Sequence, residues 1–259
     1  DLASLPVDST ASQHLQIEAM KLAFADVYRY VSERSTMEVT TEQMLDDAYL
    51  ASRARLIDMR RAQDFQAGNP VKGGTIYLTA ADESGMMVSF IQSNYMGFGS
   101  GCVEPHYGIS LQNRGYGFSL DAASPNVVAP GKRPFHTIIP AFLTKDGQPV
   151  MSYGVMGGNM QPQGHMQTLV RMLDYRQGLQ AACDAPRWRF NKGLNINVEA
   201  AMNAATVQGL KDLGHEIDVI NDSYQDFGAG QFIWRAGNPA VEGYVAASDP
   251  RRDGLAAGY

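Results

Sequence analysis

Gly73-Gly74-Thr75-Ile76-Tyr77-Leu78-Thr79 decides how this chain reads: two glycines deliver a threonine to the start of a strand. The strand ends at the turn Asp82-Glu83-Ser84-Gly85, and a second strand, Met86 to Asn94, runs back beside it. With the turn centred near Ser84, facing residue numbers sum to about 167–168, which puts Thr75 opposite Gln92 or Ser93. A Ser93 hydroxyl there can hydrogen-bond the Thr75 oxygen. A threonine hydroxyl is a weak nucleophile that needs a base beside it, and a free α-amine on the same residue can serve. That amine's ordinary pKa of about 7.7–8 leaves a useful fraction unprotonated at neutral pH. Gly73 and Gly74 tolerate the unusual backbone angles of a strained bond ahead of Thr75. Taken alone, a glycine linker running into an ordinary strand, with hydroxyls paired across the hairpin, explains the same residues.

A further element lies at Tyr153-Gly154-Val155-Met156-Gly157-Gly158-Asn159, where an apolar segment ends in paired glycines before a helix-like run with Leu169, Val170, Met172 and Leu173. Backbone N–H groups at such a strand-to-helix junction can stabilise an oxyanion. Read in isolation, the same glycines describe a turn.

Together these stretches resemble the γ-glutamyltranspeptidase family of N-terminal-nucleophile (Ntn) hydrolases, over essentially the whole chain. The resemblance is carried by Thr75 through Gly85, Phe98-Gly99-Ser100-Gly101, Leu111-Gln112-Asn113, Pro130-Gly131-Lys132-Arg133-Pro134, Gly154 through Gly158, Ala185-Pro186-Arg187, Gly214-His215, and the ending Ala247-Ser248-Asp249-Pro250-Arg251 with Gly258-Tyr259. It implies an α+β fold, a four-layer αββα sandwich, with part of one sheet supplied by a region ahead of this sequence. It implies that Thr75 is the nucleophile, released by autocleavage of the Gly74–Thr75 bond, and that Ser93 contacts it. Gly157 and Gly158 match the oxyanion-hole glycines. His136 and Thr137 stand where the family has two serines that hold the substrate carboxylate. Residues 1–74 then resemble the C-terminal part of the large subunit and residues 75–259 the small, catalytic subunit. The expected partners are a small acyl amide and the chain's own large-subunit region, in a heterodimer cut from one precursor.

The departures from the family pattern concern the acyl group. Where γ-glutamyl enzymes grip an α-ammonium with an Asn, a Gln or Glu, and an Asp, this sequence has Tyr95, Arg114 and Gly117. Ile76 also replaces the second threonine common after the nucleophile. An ammonium needs acceptors or negative charge, and an arginine with a glycine gives neither. A guanidinium suits a carboxylate, so Arg114 points to the acylase-like branch and to an acyl group without a free α-ammonium. Arg114 in a structural salt bridge is the alternative. For the protein as a whole, the alternative is a family member without catalysis that binds or supports.

Composition excludes more than it selects. The net charge of −6, with no basic stripe, argues against a nucleic-acid partner. No apolar run is long enough to span a membrane. Cys102 and Cys183 read as two free thiols, one in a loop and one in a helix, and the five histidines form no metal-ligand spacing, so no metal or cofactor is expected. His136, the one histidine near the expected site, also reads as a structural residue. Helices are expected over Ser12–Val31, Thr41–Asp64, Met160–Arg176, Gln180–Ala185 and Ala200–Leu213. Strands are expected at Ile109–Leu111, Ile138–Leu143, Val150–Tyr153, Ile196–Val198, Ile217–Ile220, Gln231–Arg235 and Tyr244–Ala247. Asp249-Pro250-Arg251 reads as a locally hydrogen-bonded turn.

Overall fold

The computed structural model describes residues 1–65 and 74–259. The expected loop ahead of the junction, Gln66–Gly74, falls outside the described residues except for Gly74 itself. Helix α1 (Thr10–Tyr30) starts at Ser9, whose hydroxyl accepts from the Ser12 N–H, and buries Ile17, Met20, Leu22 and Phe24. The single helix expected over Thr41–Asp64 is instead two short ones, α2 (Thr41–Met44) and α3 (Asp47–Ala54). Each has its own start signal. Thr40 and Gln43 form a capping box, and the Asp46 carboxylate accepts from the Tyr49 N–H. Beyond Ala54 the chain turns on Asp58, which accepts from the Arg60 N–H and pairs with Arg60 and Arg61.

Strands β1 (Gly74–Ala81) and β2 (Met87–Tyr95) form the expected antiparallel hairpin, with Ile76 facing Gln92 and Leu78 facing Phe90. The register slips between Gly74 and Ile76, a bulge centred on Thr75. Two short strands, β3 (Val103–Glu104) and β4 (Ile109–Ser110), follow. Then β5 (Ala141–Lys145) and β6 (Gln148–Val155) lead to α4 (Met160–Leu173) and α5 (Leu179–Asp184). β5 starts three residues later than expected: Pro140 carries no donor, and the Ile139 N–H goes to the Gln161 side chain at 3.2 Å.

Strand β7 (Trp188–Lys192) has no counterpart in the sequence reading; it pairs with β8 (Asn195–Glu199). Helix α6 (Ala204–Asp212) begins after Asn203, whose side chain accepts from the Ala205 and Thr206 N–H groups, so Ala200 to Asn203 lies outside it. The chain closes with β9 (Glu216–Ile220), α7 (Ser223–Asp226), β10 (Gly230–Arg235) and β11 (Tyr244–Ser248).

The main sheet runs β11-β10-β6-β5, and β7-β8-β9 forms a second one. One core cluster joins α1 to β7, β8 and α6 through Ile17, Phe24, Trp188, Phe190, Ile196 and Leu210. The other joins β6, α5, β10 and β11 through Met151, Tyr153, Val155, Leu179, Cys183 and Phe232. The β1–β2 hairpin lies against β6 and β10, with Tyr77 buried and Ile76 and Leu78 exposed. The Tyr77 ring sits where a Cβ on Gly154 would approach it to 2.7 Å, so Gly154 is the seat of that ring.

Candidate active site

The bulge turns Thr75 toward Ser93. Its Oγ1 donates to Ser93 Oγ at 3.1 Å, and the same Ser93 oxygen accepts from the Tyr95 N–H at 2.9 Å. Tyr95 takes a left-handed backbone, φ +79°, uncommon for a residue with a bulky side chain and a mark of local constraint. Below Thr75, the Tyr77 hydroxyl meets Ser89 Oγ at 2.6 Å, and Thr79 Oγ1 donates to Ser152 Oγ at 2.6 Å. The first bond lies within the hairpin, and the second ties the hairpin to β6.

β6 runs from that anchor to the paired glycines. Gly157 and Gly158 have φ of +120° and +60°. Among the described residues, neither N–H donates to any acceptor. Both stand just ahead of α4, where the helix dipole favours negative charge. Two contacts hold this loop, and Asn159 beside it reaches α1. The Val155 N–H donates to His165 Nε2 at 2.8 Å, tying the end of β6 to α4. Gly228 crosses so closely that a Cβ would lie 2.0 Å from the Met156 oxygen. Asn159 Nδ2 donates to the Tyr28 hydroxyl at 2.7 Å. Burial, and secondarily Arg187, lowers His165 to about 3, so it stays the neutral acceptor this bond needs.

Thr75 and Gly157 line a cavity of about 870 Å³, with Arg189, Tyr224 and Arg252 among its other walls. The expected acyl-group residues line a separate, smaller cavity of about 170 Å³: Tyr95, Arg114, Gly117, His136 and Thr137, joined by Tyr28 and Asn159. Ser93 links the two, because Arg114 Nη2 donates to its carbonyl at 3.5 Å. Arg114 lies over the Tyr95 ring at 5.3 Å and, among the described residues, pairs with no carboxylate. The salt-bridge alternative therefore has no partner here. Gly117 leaves no room for the aspartate of the γ-glutamyl pattern: a Cβ would sit 2.5 Å from the Phe135 oxygen. His136 accepts from the Ile138 N–H through Nδ1, and burial with Arg114 and Arg133 nearby holds it below its ordinary pKa. The Thr137 hydroxyl oxygen is buried with no hydrogen-bond partner among the described residues.

Two features escaped the sequence reading. Asp249-Pro250-Arg251 is more than a local turn. Arg187 meets Asp249 at 2.7 Å and Arg251 meets Glu199 at 2.5 Å, all four buried or nearly so. Burial opposes ionisation of Asp249, but Arg187 and Arg251 outweigh it and hold the carboxyl below its usual range. Two of the five histidines do meet in space: His14, Glu18 and His215 converge although His14 and His215 are 201 positions apart. His14 Nε2–H donates to the Asp58 carbonyl at 3.0 Å, leaving Nδ1 to accept from His215 Nε2 at 2.7 Å. His215 Nδ1 then faces Lys21 Nζ at 3.4 Å, and Lys21 pairs with Glu18 at 2.8 Å, so an ammonium supplies the positive charge in this cluster. Tyr28 and His165 were also missed; their spacing in sequence places neither at the site.

The family model for gamma-glutamyltranspeptidase matches residues 1–259. The oxamate amidohydrolase proenzyme of Klebsiella pneumoniae is 37% identical over 97% of the chain and 48% of its own length. The glutathione hydrolase-like YwrD proenzyme of Bacillus subtilis is 35% identical over 100% of the chain and 49% of its own length. The crystal structure of a cephalosporin acylase from Bacillus halodurans superposes with a TM-score of 0.90 at 48% identity, covering 97% of this chain and 46% of that one. The chain thus spans about half the length of the relatives it matches. By sequence and by fold, it belongs to the γ-glutamyltranspeptidase family.

Proposed function

We propose that the full-length protein is a self-processing Ntn amidohydrolase or acyltransferase with Thr75 as nucleophile. Cleavage of the Gly74–Thr75 bond frees the α-amine that serves as base. Thr75 Oγ1 then attacks the amide carbonyl while its proton passes to that amine. The tetrahedral oxyanion faces the Gly157 and Gly158 N–H groups, and the departing amine takes the proton as the C–N bond breaks. The acyl ester on Thr75 is resolved by water or by an acceptor amine. In this reading residues 1–74 end the large subunit and 75–259 form the small one. The two pack as a heterodimer in a four-layer αββα sandwich completed by the preceding region.

The observation that carries the proposal is the Thr75–Ser93 hydroxyl pair at a strand bulge, on a cavity shared with Gly157, whose N–H, like that of Gly158, has no acceptor among the described residues. Arg114, without a carboxylate partner in the smaller cavity, supports an acyl group that bears a carboxylate and no α-ammonium. Oxamate, in the name of the Klebsiella relative, is itself an amide whose acyl group carries a carboxylate. The departing amine then lies in the larger cavity.

The test is denaturing mass spectrometry with N-terminal sequencing on the full-length protein and its Thr75→Ala variant. A fragment beginning Thr75-Ile76-Tyr77, absent from the variant, is expected. A chain that stays whole overturns the mechanism. Strong turnover of γ-glutamyl anilides with glutaryl anilides inert overturns the acyl assignment.

A further inference from the structure

We infer that Tyr28 is a specificity-determining residue: with Arg114 and Thr137 it donates to the carboxylate of the acyl group. This rests on reading the smaller cavity as the acyl pocket. The Tyr28 hydroxyl accepts from Asn159, and its own proton has no acceptor among the described residues. The Thr137 hydroxyl, on the same cavity, is buried and, among the described residues, unpartnered. Two residues with an unpaired hydroxyl proton, and a guanidinium, thus line one space of about 170 Å³ whose lining includes no Asp or Glu. A buried donor without an acceptor is costly; an anionic ligand beside Arg114 gives both hydroxyls an acceptor at once. Asn126, which also lines the cavity, is occupied: it donates to the Gly117 carbonyl and accepts from the Phe135 N–H.

Tyr28 is also held ready. Its ring stacks on Phe24 at 5.5 Å and meets Phe135 edge-on at 5.8 Å, so the hydroxyl keeps its place without a ligand. Burial raises its pKa, which keeps the phenol protonated and a donor. Tyr28 lies on α1, ahead of the Gly74–Thr75 bond, whereas Arg114 and Thr137 lie beyond it. After a cut, the carboxylate pocket is therefore shared between two chains.

The competing role for Tyr28 is to position the Gly157-Gly158 loop through Asn159. Tyr28→Phe separates the two, because the ring packing remains and only the hydroxyl goes. In processed full-length enzyme, glutaryl and butyryl p-nitroanilides are compared for wild type, Tyr28→Phe and Arg114→Met, with thermal melting as the check on folding. The expected result is a rise of about tenfold or more in KM for the glutaryl substrate with Tyr28→Phe, the scale of one hydrogen bond to a charged group. Butyryl kinetics should stay within about twofold of wild type. An equal fall in kcat for both substrates, or no change in either, overturns the inference while leaving the acyl reading intact. A wild-type enzyme that does not prefer glutaryl, that turns over neither anilide, or whose preference survives Arg114→Met overturns the acyl reading itself, and this inference with it.

Discussion

Acid should destabilise this fold through two buried histidines, and His165 allows the effect to be apportioned. His165 and His215 are each lowered from 6.5 to about 3, chiefly by burial. Below pH 6.5 the unfolded chain takes up a proton at each position, whereas the folded chain does so only near pH 3. Stability from these groups is therefore complete above about pH 6.5 and is lost as pH falls toward 3. Between pH 7.5 and 5 the loss is about 2 kcal/mol for each histidine, about 4 kcal/mol together. His165→Gln removes the titrating ring but keeps an acceptor for the Val155 N–H. Urea unfolding of the full-length protein and this variant across that range is the assay. Wild type should lose about 4 kcal/mol from the pair and the variant about 2 kcal/mol. An identical pH dependence in the two proteins would refute the reasoning, because His165 would then be no more neutral in the fold than in the unfolded chain.

Gly157→Ala should lower kcat by about 10²- to 10³-fold, the scale of a lost oxyanion donor, since a Cβ there lies 3.0 Å from Gly228 Cα on a backbone with φ +120°; steady-state kinetics on processed enzyme reads it, with KM little changed. Asp249→Asn should cost about 3–5 kcal/mol in denaturant unfolding, because it leaves Arg187 buried without its charge partner. Thr75→Ser should retain processing, since it keeps the hydroxyl next to the Gly74–Thr75 bond, and a gel time course of the precursor follows it.

The hairpin carrying Thr75 was legible because its signals are local: two glycines, a turn, and strands whose spacing fixes the facing residues. The bulge that brings Thr75 Oγ1 to Ser93 was not, since a one-residue slip leaves the same sequence pattern. The substituted positions Tyr95, Arg114 and Gly117, scattered along the sequence, line one cavity. Strand β7 was hidden because Arg189, a charged residue, is buried there against Asp226, where hydropathy alone reads a surface. Tyr28, His165 and the His14–His215 contact were out of reach for a common reason. Each owes its role to a partner brought near by the fold, and no periodicity along the chain encodes which distant residue that is.

The seat of Tyr77 on Gly154 has a mechanical consequence. One strand, β6, carries that seat near its end, and the first of the paired glycines follows three residues on. The hairpin is clamped to it at Tyr77, two residues past Thr75. A break ahead of Thr75 would release an end whose slack stops almost at once, so the new terminus swings on a very short lever. Nucleophile and glycine amides would then be gauged from one common rail, and losing the covalent link to the preceding chain would leave that calibration unchanged.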